Sequence, residues 1–156
     1  MNLNIHSLLP ERKDWRIGCV GSGFIMSDCH LVAYGKAGFN PAAIASRTAA
    51  NAAACAERHN IGTVYDSIDQ LLDDESIEVL DLAVPPDNQL EIIKAACARG
   101  TAKGILAQKP IGSNYAEAVE TVEACEAAGI VLAVNQNMRY DQSVCAAKTL
   151  LENGTI

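Results

Sequence analysis

Aromatic residues are scarce. They make up 4% of the 156 residues, with one Trp, four Tyr and two Phe. A core must therefore come from small and branched aliphatic side chains, which suits helices packed closely on a sheet. Positive charge is also short: 12 Lys and Arg stand against 19 Asp and Glu, a formal net charge of -7. A field of that sign repels phosphate backbones and argues against nucleic acid and anionic membranes as partners. Any phosphate must then be held by local geometry. No segment approaches the length of a membrane span, and Met1 to Trp15 lacks the apolar run of a secretory signal.

Metal-ligand spacing is missing too. Cys19, Cys29, Cys55, Cys97, Cys125 and Cys145 form no CxxC pair, and His6, His30 and His59 show no ligand pattern. Neither a zinc site nor a disulfide framework is indicated, and no metal is expected. The cysteines read as small buried hydrophobes in a reducing compartment, and the protein as cytoplasmic. There is no internal repeat, low-complexity tract or obvious linker.

What is present is a hydrophobic content of 49%, enough for one compact α/β domain. Short apolar runs alternate with amphipathic stretches. Strands are expected at residues 16–20, 42–45, 63–65, 79–84, 103–107 and 130–134. Most are nearly continuous apolar runs, as for strands covered on both faces. Ile25, Cys29 and Val32-Ala33 mark one helical face. Asp87 is placed to cap a helix carrying Leu90, Ile93 and Cys97, with Gly100 ending it. Asn114 with Glu117 resembles a capping box, opening a helix through Val119 and Val122 that Gly129 ends. The alternation predicts right-handed crossovers, a doubly wound parallel sheet and a three-layer α/β/α arrangement. Residues 1–15 read as an N-terminal arm and 16–156 as the domain.

Gly21-Ser22-Gly23-Phe24-Ile25-Met26 lies at the first strand-to-helix junction. A glycine at 21 permits a tight turn, and one at 23 lets backbone approach a pyrophosphate. The helix N-terminus adds free N–H groups and a positive dipole. Such a loop alone is also explained by a plain turn; its place in a doubly wound chain makes this a Rossmann-type dinucleotide site. Met26 replaces the usual third glycine or alanine, which suggests a looser or shifted helix–strand contact. The second strand ends in Ala45-Ser46-Arg47-Thr48, without the acid that binds the ribose hydroxyls of NAD. Ser46 and Arg47 could instead receive a 2′-phosphate, so NADP is expected to bind at least as well as NAD.

Three further motifs follow the later strands: Pro85-Pro86-Asp87-Asn88-Gln89, Gln108-Lys109-Pro110 and Asn135-Gln136-Asn137-Met138-Arg139-Tyr140-Asp141. In this order they resemble the N-terminal half of the Gfo/Idh/MocA oxidoreductases, from about Arg16 to the last residue. The resemblance implies hydride transfer between NAD(P) and a carbon of a sugar, cyclitol or related polyol, which would be the small-molecule partner. It places Lys109 as the catalytic group, polarising the reacting C–O bond, and also near the nicotinamide. Gln108 stands where the family has glutamate. Gln89 replaces a histidine and would keep amide hydrogen bonding to the cofactor. Ser22, Phe24, Pro85, Pro86, Asn88, Gln108 and Asn135 join the expected cofactor contacts. Arg139 would either approach the nicotinamide or cap a helix, His30 would be a packed residue, and the Lys109-Pro110 bond is a candidate for cis.

The family's second domain carries an Asp-x-x-x-His acid/base and much of the subunit interface, and no such motif follows Lys109 here. The expectation is a cofactor-binding half with little or no turnover alone, oligomeric only in a full-length protein. Two other readings remain open: a non-enzymatic nucleotide sensor or regulatory module, and a Rossmann protein for an S-adenosyl compound.

Overall fold

The computed structural model describes residues 9–156; Met1 to Leu8, with His6 and about half of the expected N-terminal arm, lie outside the described residues. The described residues divide into two compact units, one spanning Arg12–Asn135, the other holding residues 9–11 and Gln136–Ile156.

The larger unit is built on six parallel strands: β1 (Ile17–Val20), β2 (Ala43–Ala45), β3 (Thr63–Tyr65), β4 (Val79–Leu82), β5 (Gly104–Gln108) and β6 (Val131–Asn135). Their order is β3-β2-β1-β4-β5-β6. The chain therefore reverses direction across the sheet between β1 and β4, opening a crevice at their carboxyl ends. The expected doubly wound Rossmann sheet is present.

Helix α1 opens as a π-helical turn over Ile25–His30 and continues as an α-helix over Leu31–Ala37. It is followed by α2 (Ala49–His59), α3 (Ile68–Leu72), α4 (Pro86–Arg99) and α5 (Tyr115–Ala128). One face of the sheet packs Val20, Leu80, Leu82, Ile105 and Ala107 against Leu71, Ile93 and Cys125 from α3, α4 and α5. The other packs Ile17, Cys19 and Ile44 against Met26 and Leu31 of α1 and Ala52, Cys55 and Ala56 of α2. Small residues on α2 let it approach the strands closely, as the shortage of aromatics required.

Several local expectations shift. The buried face of α1 carries Met26, His30 and Leu31, while Ile25 and Cys29 are exposed. The spacing of four residues is kept and the whole inward row lies one residue later, an offset already present at the first turn. Met26 is fully buried, so its contact is shifted rather than loose. Asp87 does not cap α4; Pro85 holds the N-cap position without a side-chain hydrogen bond, and Asp87 sits in the first turn, where a carboxylate still favours the dipole. The expected Asn114 box forms: its Oδ1 accepts from the Glu117 N–H, and a Glu117 carboxylate oxygen accepts from the Ser113 N–H. Gly100 and Gly129 end their helices in the left-handed region.

Helix α3 carries a comparable signal, Ser67 accepting from the Gln70 N–H and Gln70 accepting from the Asp66 N–H. The edge strands are not covered on both faces. Val64 of β3 and Val131 and Val134 of β6 are exposed, because an edge strand has one neighbour and fewer helices over it.

In the smaller unit, a 3-10 turn over Asn137–Tyr140 carries Arg139 and precedes α6 (Gln142–Glu152). Asp141 caps α6, accepting from both the N–H and the hydroxyl of Ser143, which holds its carboxyl below the usual range. Among the described residues no helix is long and apolar enough to cross a membrane, and none cluster as metal ligands. All six cysteines are free thiols.

Candidate functional site

The turn from β1 into α1 begins at Gly21, whose N–H donates to the Ala45 carbonyl on β2 at 2.8 Å. Its φ is +102°, and a Cβ there would lie 2.6 Å from the Ala83 carbonyl oxygen at the end of β4. Only glycine fits this position. Gly23 is different. A Cβ on it would meet nothing within 4 Å, so no contact among the described residues demands glycine there. The bare space above Gly23 is what a pyrophosphate approaching the backbone would fill. The N–H groups of Ser22 and Gly23 have no backbone partner among the described residues, and the first turn of α1 points its dipole the same way. The site fits a bound dinucleotide phosphate without any cation.

A cleft of about 680 Å³ runs from this loop over the carboxyl ends of β2, β3 and β4. It brings together Gly21, Ser22, Gly23, Ser46, Arg47, Pro85 and Asn88 of the expected cofactor residues. Phe24 and Ile25 are exposed and do not line it, and neither does Pro86. Ser46 is 7% exposed, accepts from the Ser22 hydroxyl at 3.0 Å and donates to the Thr48 carbonyl at 2.9 Å. Its hydroxyl is thus already engaged, and Arg47 is the exposed polar group at the end of β2. Four carboxylates also line the cleft: Asp66, Asp69, Asp87 and Glu91. Asp69 pairs with Arg99 at 2.8 Å.

The remaining expected residues gather at the carboxyl ends of β5 and β6, where Gln108 and Asn135 stand opposite each other. The Lys109-Pro110 bond is cis and Lys109 is exposed. The Gln108 Oε1 accepts from the Lys109 N–H at 2.8 Å. Gln89 is fully buried, and its Nε2 donates to the Pro110 carbonyl at 2.8 Å. Gln89 is thus enclosed by protein, with its Nε2 on Pro110 and outside the lining of the cleft, where the expectation had it meet a cofactor. Its Oε1 is buried without a hydrogen-bond partner. Gln89 acts on the backbone that follows Lys109 instead.

A group of residues invisible to motif reading lies beneath these ends. Asp81, fully buried in the middle of β4, accepts from Nδ1 of His30 at 2.9 Å and from the Tyr34 hydroxyl at 2.8 Å. On the other side of the ring, His30 Nε2 faces the Asn135 Nδ2 at 2.6 Å and the Gln108 Nε2 at 3.4 Å. His30 is packed, as expected, but as a polar bridge. Burial and the neighbouring Asp81 push the Tyr34 hydroxyl and the Cys19 thiol well above their ordinary values. The available signal was Asp81 itself, a single charge inside the apolar run Val79 to Val84.

Comparison with known proteins agrees with this geometry. Residues 15–136 match the GFO_IDH_MocA oxidoreductase family model, described as an NAD-binding Rossmann fold. An uncharacterized oxidoreductase of Schizosaccharomyces pombe is 37% identical over 93 residues, 60% of this chain and 25% of that protein. A D-xylose 1-dehydrogenase (NADP(+)) of Haloferax volcanii is 35% identical over 91 residues, 58% of this chain and 27% of that protein. Among solved structures, a levoglucosan dehydrogenase in complex with NADH and levoglucosan superposes with a TM-score of 0.81 at 28% identity, covering 90% of this chain and 40% of the other. The chain spans well under half the length of these relatives.

Proposed function

The chain belongs to the GFO_IDH_MocA oxidoreductase family through its NAD-binding Rossmann fold, and on that premise we propose that it is the cofactor-binding part of an enzyme moving hydride between a nicotinamide and a sugar, cyclitol or related polyol. The observation that carries this reading is the contrast between the two loop glycines. Gly21 is required by the fold, whereas Gly23 is required by no contact among the described residues and leaves space for a ligand. When bound, the nicotinamide supplies or accepts the hydride.

This chain's residues then have separate tasks. The free N–H groups of Ser22 and Gly23 hold the pyrophosphate at the N-terminus of α1. Lys109 polarises the substrate oxygen, its ammonium stabilising charge that develops there in the transition state. Asn135 and Gln108 face the nicotinamide side. For the adenosine ribose, Arg47 at the head of α2 is the group that would meet a 2′-phosphate, and the reading is that NADP binds at least as well as NAD. The Haloferax volcanii relative is named for NADP, which supports this; the carboxylates lining the cleft oppose it. Calorimetric titration with NADPH, NADH and S-adenosylmethionine tests the proposal. Binding of the two dinucleotides and not the third is expected, and S-adenosylmethionine bound more tightly than either would overturn it.

A further inference from the structure

Asp81 and His30 have no place among the groups that would touch cofactor or substrate, yet their burial demands a reason. A carboxylate in the central strand of a sheet is costly, and two hydrogen bonds at most offset that cost. His30 and Tyr34, one turn apart on α1, both close on it.

The donors around His30 decide its state. Asp81 can only accept, so the Nδ1 facing it at 2.9 Å must carry the proton. The Gln108 amide is fixed in sense by its Oε1 on the Lys109 N–H, so the end 3.4 Å from the ring is the donor Nε2 and the ring Nε2 accepts; the Asn135 amide closes on the same ring nitrogen. Both requirements are met by one tautomer, the neutral ring protonated at Nδ1.

Orientation of the Asn135 amide follows. With Nδ2 turned inward to the ring, its Oδ1 is the end left to face outward at the carboxyl edge of β6. The opposite tautomer would turn the amide over and present N–H groups instead. Gln108 is held in the same sense, with Nε2 toward the ring and Oε1 on the Lys109 N–H.

We infer that Asp81 and His30 form a buried orienting dyad that sets the polarity of the site above them, so that Asn135 presents an acceptor to a ligand's N–H or O–H donor. Neither member touches the ligand; both are positioning residues. The inference rests on the cofactor reading above, in which the donor is the carboxamide N–H₂ of the nicotinamide. It adds why a carboxylate is kept in β4 and why the ring must stay in one form.

The test has two parts that fail separately. Long-range ¹H–¹⁵N correlation spectra, with His30 assigned against His6→Gln and His59→Gln, report which ring nitrogen is protonated. The wild-type ring should be protonated at Nδ1 alone. Asp81→Asn should lose that state, whereas Asn135→Ala should keep it, since the carboxylate still dictates it. Titration then compares NADH and NADPH with ADP-ribose and its 2′-phosphate, which lack the nicotinamide. Both variants should weaken the nicotinamide ligands by roughly 2- to 10-fold, the range of one hydrogen bond, and leave the truncated ligands unchanged. If Asp81→Asn does not fold, the wild-type spectrum and Asn135→Ala still decide the matter. A wild-type ring protonated at Nε2 overturns the dyad whatever binds. Equal losses for the truncated ligands, or no loss in Asn135→Ala, overturn its effect on the ligand. A wild-type protein that binds none of the four ligands overturns the cofactor reading and, with it, the assigned ligand donor.

Discussion

Gly21 and Ala83 stand so close that a methyl group on the first would come within 2.6 Å of the carbonyl oxygen of the second. The start of the phosphate loop is thus locked to the end of β4, across the point where the sheet reverses its order. Gly21→Ala should destabilise the fold by about 2–3 kcal/mol, from the left-handed φ and the clash together. Gly23→Ala should leave the urea midpoint nearly unchanged while lowering dinucleotide affinity by about tenfold or more, the scale of one charge-assisted hydrogen bond. Equal effects of the two substitutions on folding would contradict the separation of their roles.

On the proposed reading, Arg47 governs the choice between cofactors. Removing its charge should cost NADPH roughly 1.5–3 kcal/mol of binding and NADH far less. Calorimetry on Arg47→Ala with both ligands makes the comparison, and equal NADPH affinity in variant and wild type would sink the assignment.

The Asp81–His30 pair also has a stability consequence. His30→Ala leaves a buried carboxylate with only Tyr34 as its partner and should cost about 3–5 kcal/mol. Replacing both members, as His30→Leu with Asp81→Leu, removes the charge as well and should cost less than the single change. Chemical denaturation of the two variants gives the answer directly.

Glu78 supplies a pH dependence far from the cleft. Its carboxylate accepts from Lys103 at 2.7 Å and from Arg12 at 2.6 Å, which lowers it from 4.5 to about 2. The folded value lies below the unfolded one, so its contribution is present above about pH 4.5 and is lost as pH falls toward about 2. Urea midpoints of wild type and Glu78→Gln should therefore differ most above pH 4.5 and converge toward pH 2. High salt should shrink the difference, because exposed ion pairs are screened. A gap that widens on acidification would be the wrong sign.

How much of this could be read in advance depended on the distance over which each signal acts. The glycine loop, the Asn114 capping box and the apolar strand runs are short-range patterns, and they appear where expected. The buried face of α1 runs through Met26 and His30 instead of Ile25 and Cys29, because the phase of the helix is set by how it leaves the Gly21 turn, and nothing in Ile25 to His30 announces it. Gln89 was assigned to the cofactor from its place in a motif; only packing reveals that it is enclosed and holds Pro110.

The parallel doubly wound sheet and the phosphate loop are encoded locally, since strand periodicity, caps and turn glycines act through neighbouring residues. Only the tertiary structure decided what each residue faces. The sheet order brings Gln108 and Asn135 side by side and sets His30 beneath them, 51 residues in sequence from Asp81. It also divided the two loop glycines by function. What stands against Gly21 is Ala83, just past the end of β4 and 62 residues later, and what stands against Gly23 is open space.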